Sequence, residues 1–370
     1  VGQLTQVTLP DNSTITYTYD GAHRLTAITD SLGNRIVYTL DAMGNRTKED
    51  VQDPNGNLAR TRSRIYDALS RLAQDIGAQG QTTRYEYDAN GNRTKVTDPL
   101  NQVTVSAYDP LNRLIQVTDP GLGQTRYGYD GQDRLTQVTD PRNLVTTYTL
   151  DGLGNQSAQQ SPDTGSTTRT TDAAGNELTR TDAKAQKTTT TYDALNRPTK
   201  VTYQDGSRVQ YTWDTGSNGL GRLGRIDEYN AGSSLLRSLV RSYDALGRIT
   251  GETRTLGNLG HNIGYAYSGG QLASLTLPSA KQLTYTRNAA GQITQVTLTA
   301  NGQTKTLLQN IAYHPFGGIK SFTDGAGQNH SRGSDLDGRT SSYTLGNQTW
   351  MLSYDAASRI VTTVNPLGNM

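Results

Sequence analysis

Tyr129-Asp130-Gly131-Gln132-Asp133-Arg134-Leu135-Thr136-Gln137-Val138-Thr139-Asp140-Pro141 is the clearest copy of a motif that recurs along this chain. Its Tyr-following aspartate recurs every 21 residues, from Asp67 through Asp88, Asp109, Asp130, Asp151, Asp172 and Asp193 to Asp214, each time after an aromatic residue or a strand former. A fixed short period means one supersecondary module stacked many times, each too small to bury its apolar face without neighbours. Upstream, Asp20 and Asp41 are also 21 apart, with a step of 26 to Asp67. Downstream, a step of 30 leads from Asp214 to Asp244, and the register continues more loosely through Ser268, Asn288, His314, Asp335 and Asp355, giving sixteen repeats.

The whole of 1–370 therefore reads as one continuous array, most regular over 67–214, with a Gly/Ser/Asn-rich loop insertion at about 215–232 and looser repeats over 244–370. Val1-Gly2-Gln3-Leu4 is the interior of a repeat and Asn365-Pro366-Leu367-Gly368-Asn369 the turn of another. Neither end carries a cap, so a piece of a longer protein is expected.

Composition points to strands. Only 33% of residues are hydrophobic and two are Phe, yet there are 21 Tyr and long runs of Thr, as in strands with one wet face. Disorder would not space aromatic residues periodically at a net charge of +2. The fold class is thus all-β: a long, repetitive antiparallel sheet.

Thr16-Tyr17-Thr18-Tyr19 alternates and places both tyrosines on one face. Leu135 and Val138, three apart, should face opposite sides, and the same offset recurs at Leu25/Ile28 and Leu114/Val117. A bulge, a strong twist or burial of both faces would each account for it. The turns are better specified. Asp98-Pro99, Asp119-Pro120 and Asp140-Pro141 put Pro where its fixed φ suits a type I or II turn, with Asp able to accept a backbone hydrogen bond. The other turn, as in Asp41-Ala42-Met43-Gly44-Asn45-Arg46, offers Gly or Asn for positive φ. Two turns and two short strands fill the period, so each repeat is a hairpin-like step.

Tyr-Asp-Ala-Leu-Asn-Arg (192–197), Tyr-Asp-Ala-Leu-Gly-Arg (243–248), Tyr-Asp-Ala-Asn-Gly-Asn-Arg (87–93) and Val-Thr-Asp-Pro (117–120, 138–141) resemble the YD repeats of the Rhs family, and the likeness covers essentially the whole chain. That family includes bacterial polymorphic toxins, the C subunits of insecticidal toxin complexes and the teneurins. The resemblance implies a sheet spiralling into a solenoid or partial hollow shell, which in the bacterial toxins encloses a cleaved C-terminal toxin polypeptide. It also implies export, to the medium or the cell surface. The sequence does not contain the family's Asp-Pro-x-Gly-Leu-x-Gly-Gly core.

Four stretches invite a chemical reading. Asp163-Thr164-Gly165-Ser166 and Asp214-Thr215-Gly216-Ser217 spell the aspartic-protease tetrapeptide, whose two carboxylates share a proton. Each such Asp needs a tight loop between apolar strands, whereas Gln159-Gln160-Ser161-Pro162 precedes the first and Asp214 is a repeat aspartate, so turns are expected. Gly219-Leu220-Gly221-Arg222-Leu223-Gly224 matches the dinucleotide fingerprint in letters, but no helical periodicity follows it. Asp335-Leu336-Asp337-Gly338 resembles the start of a calcium loop without the remaining ligands, and His23, His261, His314 and His330 lack metal-ligand spacing.

No enzyme, cofactor or metal is therefore expected. The pairs Tyr19-Asp20, Tyr66-Asp67, Tyr87-Asp88, Tyr108-Asp109, Tyr129-Asp130, Tyr192-Asp193, Tyr243-Asp244 and Tyr354-Asp355 read as building elements, the aspartates ordering turns and the tyrosines stacking on one another across strands. Thirty-five basic against 33 acidic residues, with no clustering, argue against nucleic acid, and no apolar run reaches a membrane span. The function expected is a scaffold: a segment of a shell around a toxin or other C-terminal cargo, partnered by the rest of a larger protein. The alternative is an extracellular adhesion module binding glycans.

Overall fold

The computed structural model describes residues 2–345, 348–365 and 368–369; Val1 and the expected turn at Pro366-Leu367 lie outside them. Among the described residues the only regular element is the β-strand. By contact density the chain forms two compact units, one of 1–103, 266–275 and 280–370, the other of 104–265 and 276–279. Within each, strands pair antiparallel with their neighbours in sequence, for example Gln124–Tyr129 with Leu135–Thr139, and Leu135–Thr139 with Val145–Leu150.

The three-residue offset has one cause. Tyr129 pairs with Leu135 and Tyr127 with Val138, while Thr136 is the extra residue of a bulge opposite the Gly128/Tyr129 step. The insertion returns Leu135 and Val138 to a common face, that of Tyr127 and Tyr129. The same shift falls just before Tyr19, Tyr66, Tyr87, Tyr108, Tyr192 and Tyr243. The bulged residue is often a threonine whose hydroxyl donates to the carbonyl opposite, as Thr136 does to Gly128 at 3.2 Å and Thr26 to Thr18 at 3.2 Å. Its second polar group thus compensates for the interrupted ladder.

Both sheet edges use one turn. Asp130 N–H donates to the Arg134 carbonyl at 3.0 Å, Asp133 N–H donates to the Asp130 carbonyl at 3.2 Å, and Asp133 has φ 64°. Asp140, Leu144 and Asn143 (φ 62°) repeat the scheme at the opposite edge. The fourth position demands left-handed backbone, which Gly, Asn and Asp tolerate best and which Gly44, Gly91 and Asn112 also supply. We term the edge of the Tyr-Asp turns the tyrosine edge and that of the Thr-Asp turns the proline edge.

Of the looser repeats, Asn288, His314, Asp335 and Asp355 keep this turn, each donating an N–H to the carbonyl four residues on, whereas Ser268 ends strand Leu259–Ser268 and only Gly269-Gly270 separate it from Gln271–Thr276. The segment about 215–232 corrects the sequence reading. It is not one loop, because Leu223–Tyr229 is a strand pairing with Arg208–Trp213, and its apolar residues Leu223 and Ile226 face Trp213 and Tyr211 across a bulge at Gly224. Glycines and the bulge hide the alternation from sequence.

Among the described residues the buried hydrophobic ones are Ala27, Tyr38, Val51 and Ile311, all in the first unit. In the second unit the buried described residues are, besides Gly219 and Gly224, polar: Ser161, Thr167, Asp227, Ser238 and Glu252. That unit relies on ladder hydrogen bonds and cross-strand pairs more than on a core.

Candidate functional site

At each tyrosine-edge turn the aspartate gathers several donors. Asp130 Oδ1 accepts the N–H of Gln132 at 2.9 Å and of Arg134 at 3.0 Å, and its Oδ2 accepts from Arg134 Nε at 2.7 Å. Asp20, Asp67, Asp109, Asp193 and Asp244 do the same with Arg24, Arg71, Arg113, Arg197 and Arg248. Asp41, Asp88, Asp151 and Asp172 use Asn45, Asn92, Asn155 and Asn176. The carboxyls are held below their ordinary range, in Asp130 first by the backbone N–H of Arg134 and in Asp151 first by the Asn155 side chain.

The arginine had no role in the sequence reading, and it turns out to be the link between repeats. Arg134 Nη1 donates to the Asp151 carbonyl at 3.0 Å, and Arg24, Arg71 and Arg113 reach Asp41, Asp88 and Asp130 likewise. The same guanidinium covers the next repeat's ring: Arg113 lies 5.0 Å from the centroid of Tyr129, Arg71 4.7 Å from Tyr87, Arg339 4.6 Å from Tyr354. The expectation of tyrosine on tyrosine is corrected at these positions. A cation over a ring satisfies both the aromatic face and the charge, so cation–π contact replaces aromatic stacking. Each hydroxyl then donates to main chain of the preceding repeat, Tyr129 to the Leu114 carbonyl at 2.8 Å and Tyr87 to Leu72 at 2.9 Å. The only sequence signal for this link was the Arg or Asn recurring four residues after the aspartate.

Asp163 and Asp214 do not converge. Asp163 stands at the proline edge beside strand Gly165–Thr171, Asp214 at the tyrosine edge after Arg208–Trp213. Four strand steps between those strands amount to roughly 19 Å. Each carboxylate has its own arginine, Arg142 at 2.7 Å and Arg197 at 2.6 Å. Gly219 to Gly224 runs into a strand instead of a helix, so no phosphate-binding helix N-terminus forms there. Among the described residues no group of three His, Cys, Asp or Glu side chains could hold a metal. His330 stacks on Phe322 and meets Asp324 at 2.9 Å, while His314 contacts the Arg332 carbonyl.

The calcium-like stretch has another task. Within the first unit, the tyrosine-edge turn at Asp335 returns to the early repeats. Ala78 N–H and Gln81 Nε2 donate to the Asp337 carboxylate at 2.7 and 2.6 Å, and Thr61 N–H donates to the Leu336 carbonyl at 2.9 Å. A second such contact joins Gln271 to the Asp11 carboxylate, with Gly269 and Gly270 close against Asp11 and Pro10. In this seam lies a polar cavity of about 610 Å³, lined by Arg60, Arg62, Arg64, Arg339 and by Glu49, Asp75, Asp98 and Asp337. Six of these eight charges are paired: Arg62 with Asp75, Arg60 with Glu49 at 3.7 Å and Arg339 with Asp337 at 3.1 Å. Replacing Asp337 by Ala removes three charge-assisted contacts and should cost about 2 kcal/mol. Hydrogen exchange would read this as faster exchange at Thr61 and Ala78 with the 104–265 repeats unaltered.

The profile of the family described as RHS Repeat matches residues 1–35, 19–58, 66–103, 108–144, 129–166 and 172–208, together just over half of the chain. A comparison with curated proteins finds no match. Among solved structures, the crystal structure of TcdB2-TccC3 without hypervariable C-terminal region superposes with a TM-score of 0.75 at 16% identity, over 96% of this chain and 22% of that one. The TcdB2-TccC3-Cdc42 crystal structure gives 0.75, 16%, 97% and 22%. The Photorhabdus luminescens Tc holotoxin pore gives 0.75, 16%, 96% and 22%. The chain thus spans about a fifth of the length of those chains, and at this identity the likeness is one of fold.

Proposed function

Since this chain belongs to the RHS repeat family, we propose that it is a non-catalytic structural scaffold, a wall segment of a larger protein that encloses a toxin or other C-terminal cargo polypeptide. All of 1–370 serves as one array in this reading, and the protein is exported. The repeat pairs from Tyr19-Asp20 to Tyr354-Asp355 act as building elements. One observation carries it: the polar groups of these residues are spent on the array itself, tyrosine hydroxyls on carbonyls of the preceding repeat and carboxylates on their own turns. A ligand site needs different groups converging in one cleft, whereas a wall needs one joint repeated at every step. The fold likeness to toxin-complex proteins, one of them solved without a hypervariable C-terminal region, supports a wall beside a variable passenger. Among the described residues no helix is long and apolar enough to cross a membrane.

Limited proteolysis of the parent protein tests this. Enclosure predicts a protease-resistant polypeptide outside the repeat array that becomes digestible once the array is unfolded by acid. A parent protein with no protected passenger, whose array instead binds on a glycan array, would transfer the assignment to an adhesion module.

A further inference from the structure

At the seam of the first unit the building rule breaks. In regular repeats the position two before the turn tyrosine is itself aromatic and faces a valine across the strand pair, Tyr85 facing Val96 and Tyr127 facing Val138. Two residues earlier stands a threonine, Thr83 or Thr125. In strand Leu58–Tyr66 and its partner the same three positions hold Arg62, Arg64 and Asp75, with Arg64 facing Asp75. Arg60 follows one step further along that face, and all four residues line the polar cavity. Charges in positions that elsewhere carry Thr, Tyr and Val are not explained by stacking, and such departures from a repeat's own rule mark candidate sites.

The charges do not cancel completely. Asp75, Glu49 and Asp337 are taken by Arg62, Arg60 and Arg339. Asp98 is engaged at its own turn, accepting the N–H of Leu100 at 2.9 Å and of Gln102 at 2.8 Å. Among the described residues nothing hydrogen-bonds or pairs with the guanidinium of Arg64, although it is half-buried. A guanidinium keeps its charge at any ordinary pH and brings five donors, so an acceptor from outside the chain would complete the set.

We propose that this cavity binds a small free oxyanion, a phosphate or a carboxylate, seated on Arg64. The planar fork of an arginine holds either group through two parallel N–H donors, and Thr83 and Ser358 add hydroxyls to the same lining. The volume of about 610 Å³ lies within the range of small-ligand sites. Strand Leu58–Tyr66 and the turn at Asp335 to Arg339 both contribute to the lining, so the occupant sits in the seam where late repeats meet early ones.

Isothermal titration of the whole chain with inorganic phosphate and with citrate, at constant ionic strength in chloride, tests this. The expected result is saturable binding of at least one of them, with a dissociation constant of roughly 1 mM or below. Arg64→Tyr restores the residue of the regular repeats, so it should fold with an unchanged or higher melting temperature and bind at least about tenfold more weakly. Arg64→Gln should lose affinity likewise. Lys281→Gln alters an exposed residue that does not line the cavity and should leave affinity unchanged. Hydrogen exchange at Thr61 should slow when the anion is added to the parent chain and stay as it was in Arg64→Tyr. No saturable binding of either anion, affinity that survives both Arg64 substitutions, or an equal loss in Lys281→Gln would overturn the proposal.

Discussion

Lowering the pH from 7 to 3 is expected to depress the melting temperature of this chain, with nearly all of the loss below about pH 4. The turn aspartates have carboxyls held below the ordinary value of 3.8, among them Asp67, Asp109, Asp130, Asp151, Asp193 and Asp244. A depressed native value means that the unfolded chain binds more protons, so the stabilisation is complete above the unfolded value and is lost as the pH falls through the folded one. Because the groups recur in every repeat, small increments accumulate. The leading cause is backbone N–H donation at Asp67, Asp109, Asp130, Asp193 and Asp244 and an asparagine side chain at Asp151, so salt should remove only the part due to arginine. Melts followed by circular dichroism at several pH values, with and without 1 M sodium chloride, measure both effects. A melting temperature that is flat down to pH 3, or an acid effect that salt abolishes, would contradict the turn chemistry described above.

Replacing Tyr129 by Ala is expected to cost about 2–4 kcal/mol, the range of large-to-small changes at packed aromatic positions. The ring carries the Arg113 guanidinium, faces Leu135 across the strand pair, and its hydroxyl is tied to Leu114. Tyr129→Phe keeps ring and cation and loses only the hydrogen bond, for about 1 kcal/mol. Denaturant unfolding of the two variants separates these contributions. Equal stability of the Phe and Ala forms would mean that the ring is not part of the joint.

The repeat period, the turn aspartates and the all-β class were legible because each recurs in register, and recurrence is what a single sequence displays best. The bulge was not singled out, since a three-residue offset between Leu135 and Val138 is compatible with several geometries; only the pairing of Leu135 with Tyr129 distinguishes them. Arg113 over Tyr129 escaped because its partners sit 16 and 17 residues away, in the next repeat, where helical or strand periodicities carry no information. The strand at Leu223–Tyr229 was concealed by the glycines around it. The seam was beyond reach altogether. Asp337 finds Gln81 across 256 residues, and nothing in either turn's sequence is addressed to the other.

The arginine link has a consequence for how such an array changes over time. On its receiving side part of the joint is a main-chain carbonyl, the Asp151 oxygen for Arg134 and the Asp130 oxygen for Arg113, which every repeat offers whatever its side chains. A repeat excised or duplicated whole leaves arginines such as Arg24, Arg71, Arg113 and Arg134 with a carbonyl to reach and every aspartate with its own turn. In-frame recombination between such segments of the gene can therefore lengthen or shorten the protein without breaking a joint, and the number of repeats is free to vary while the rule that assembles them stays fixed.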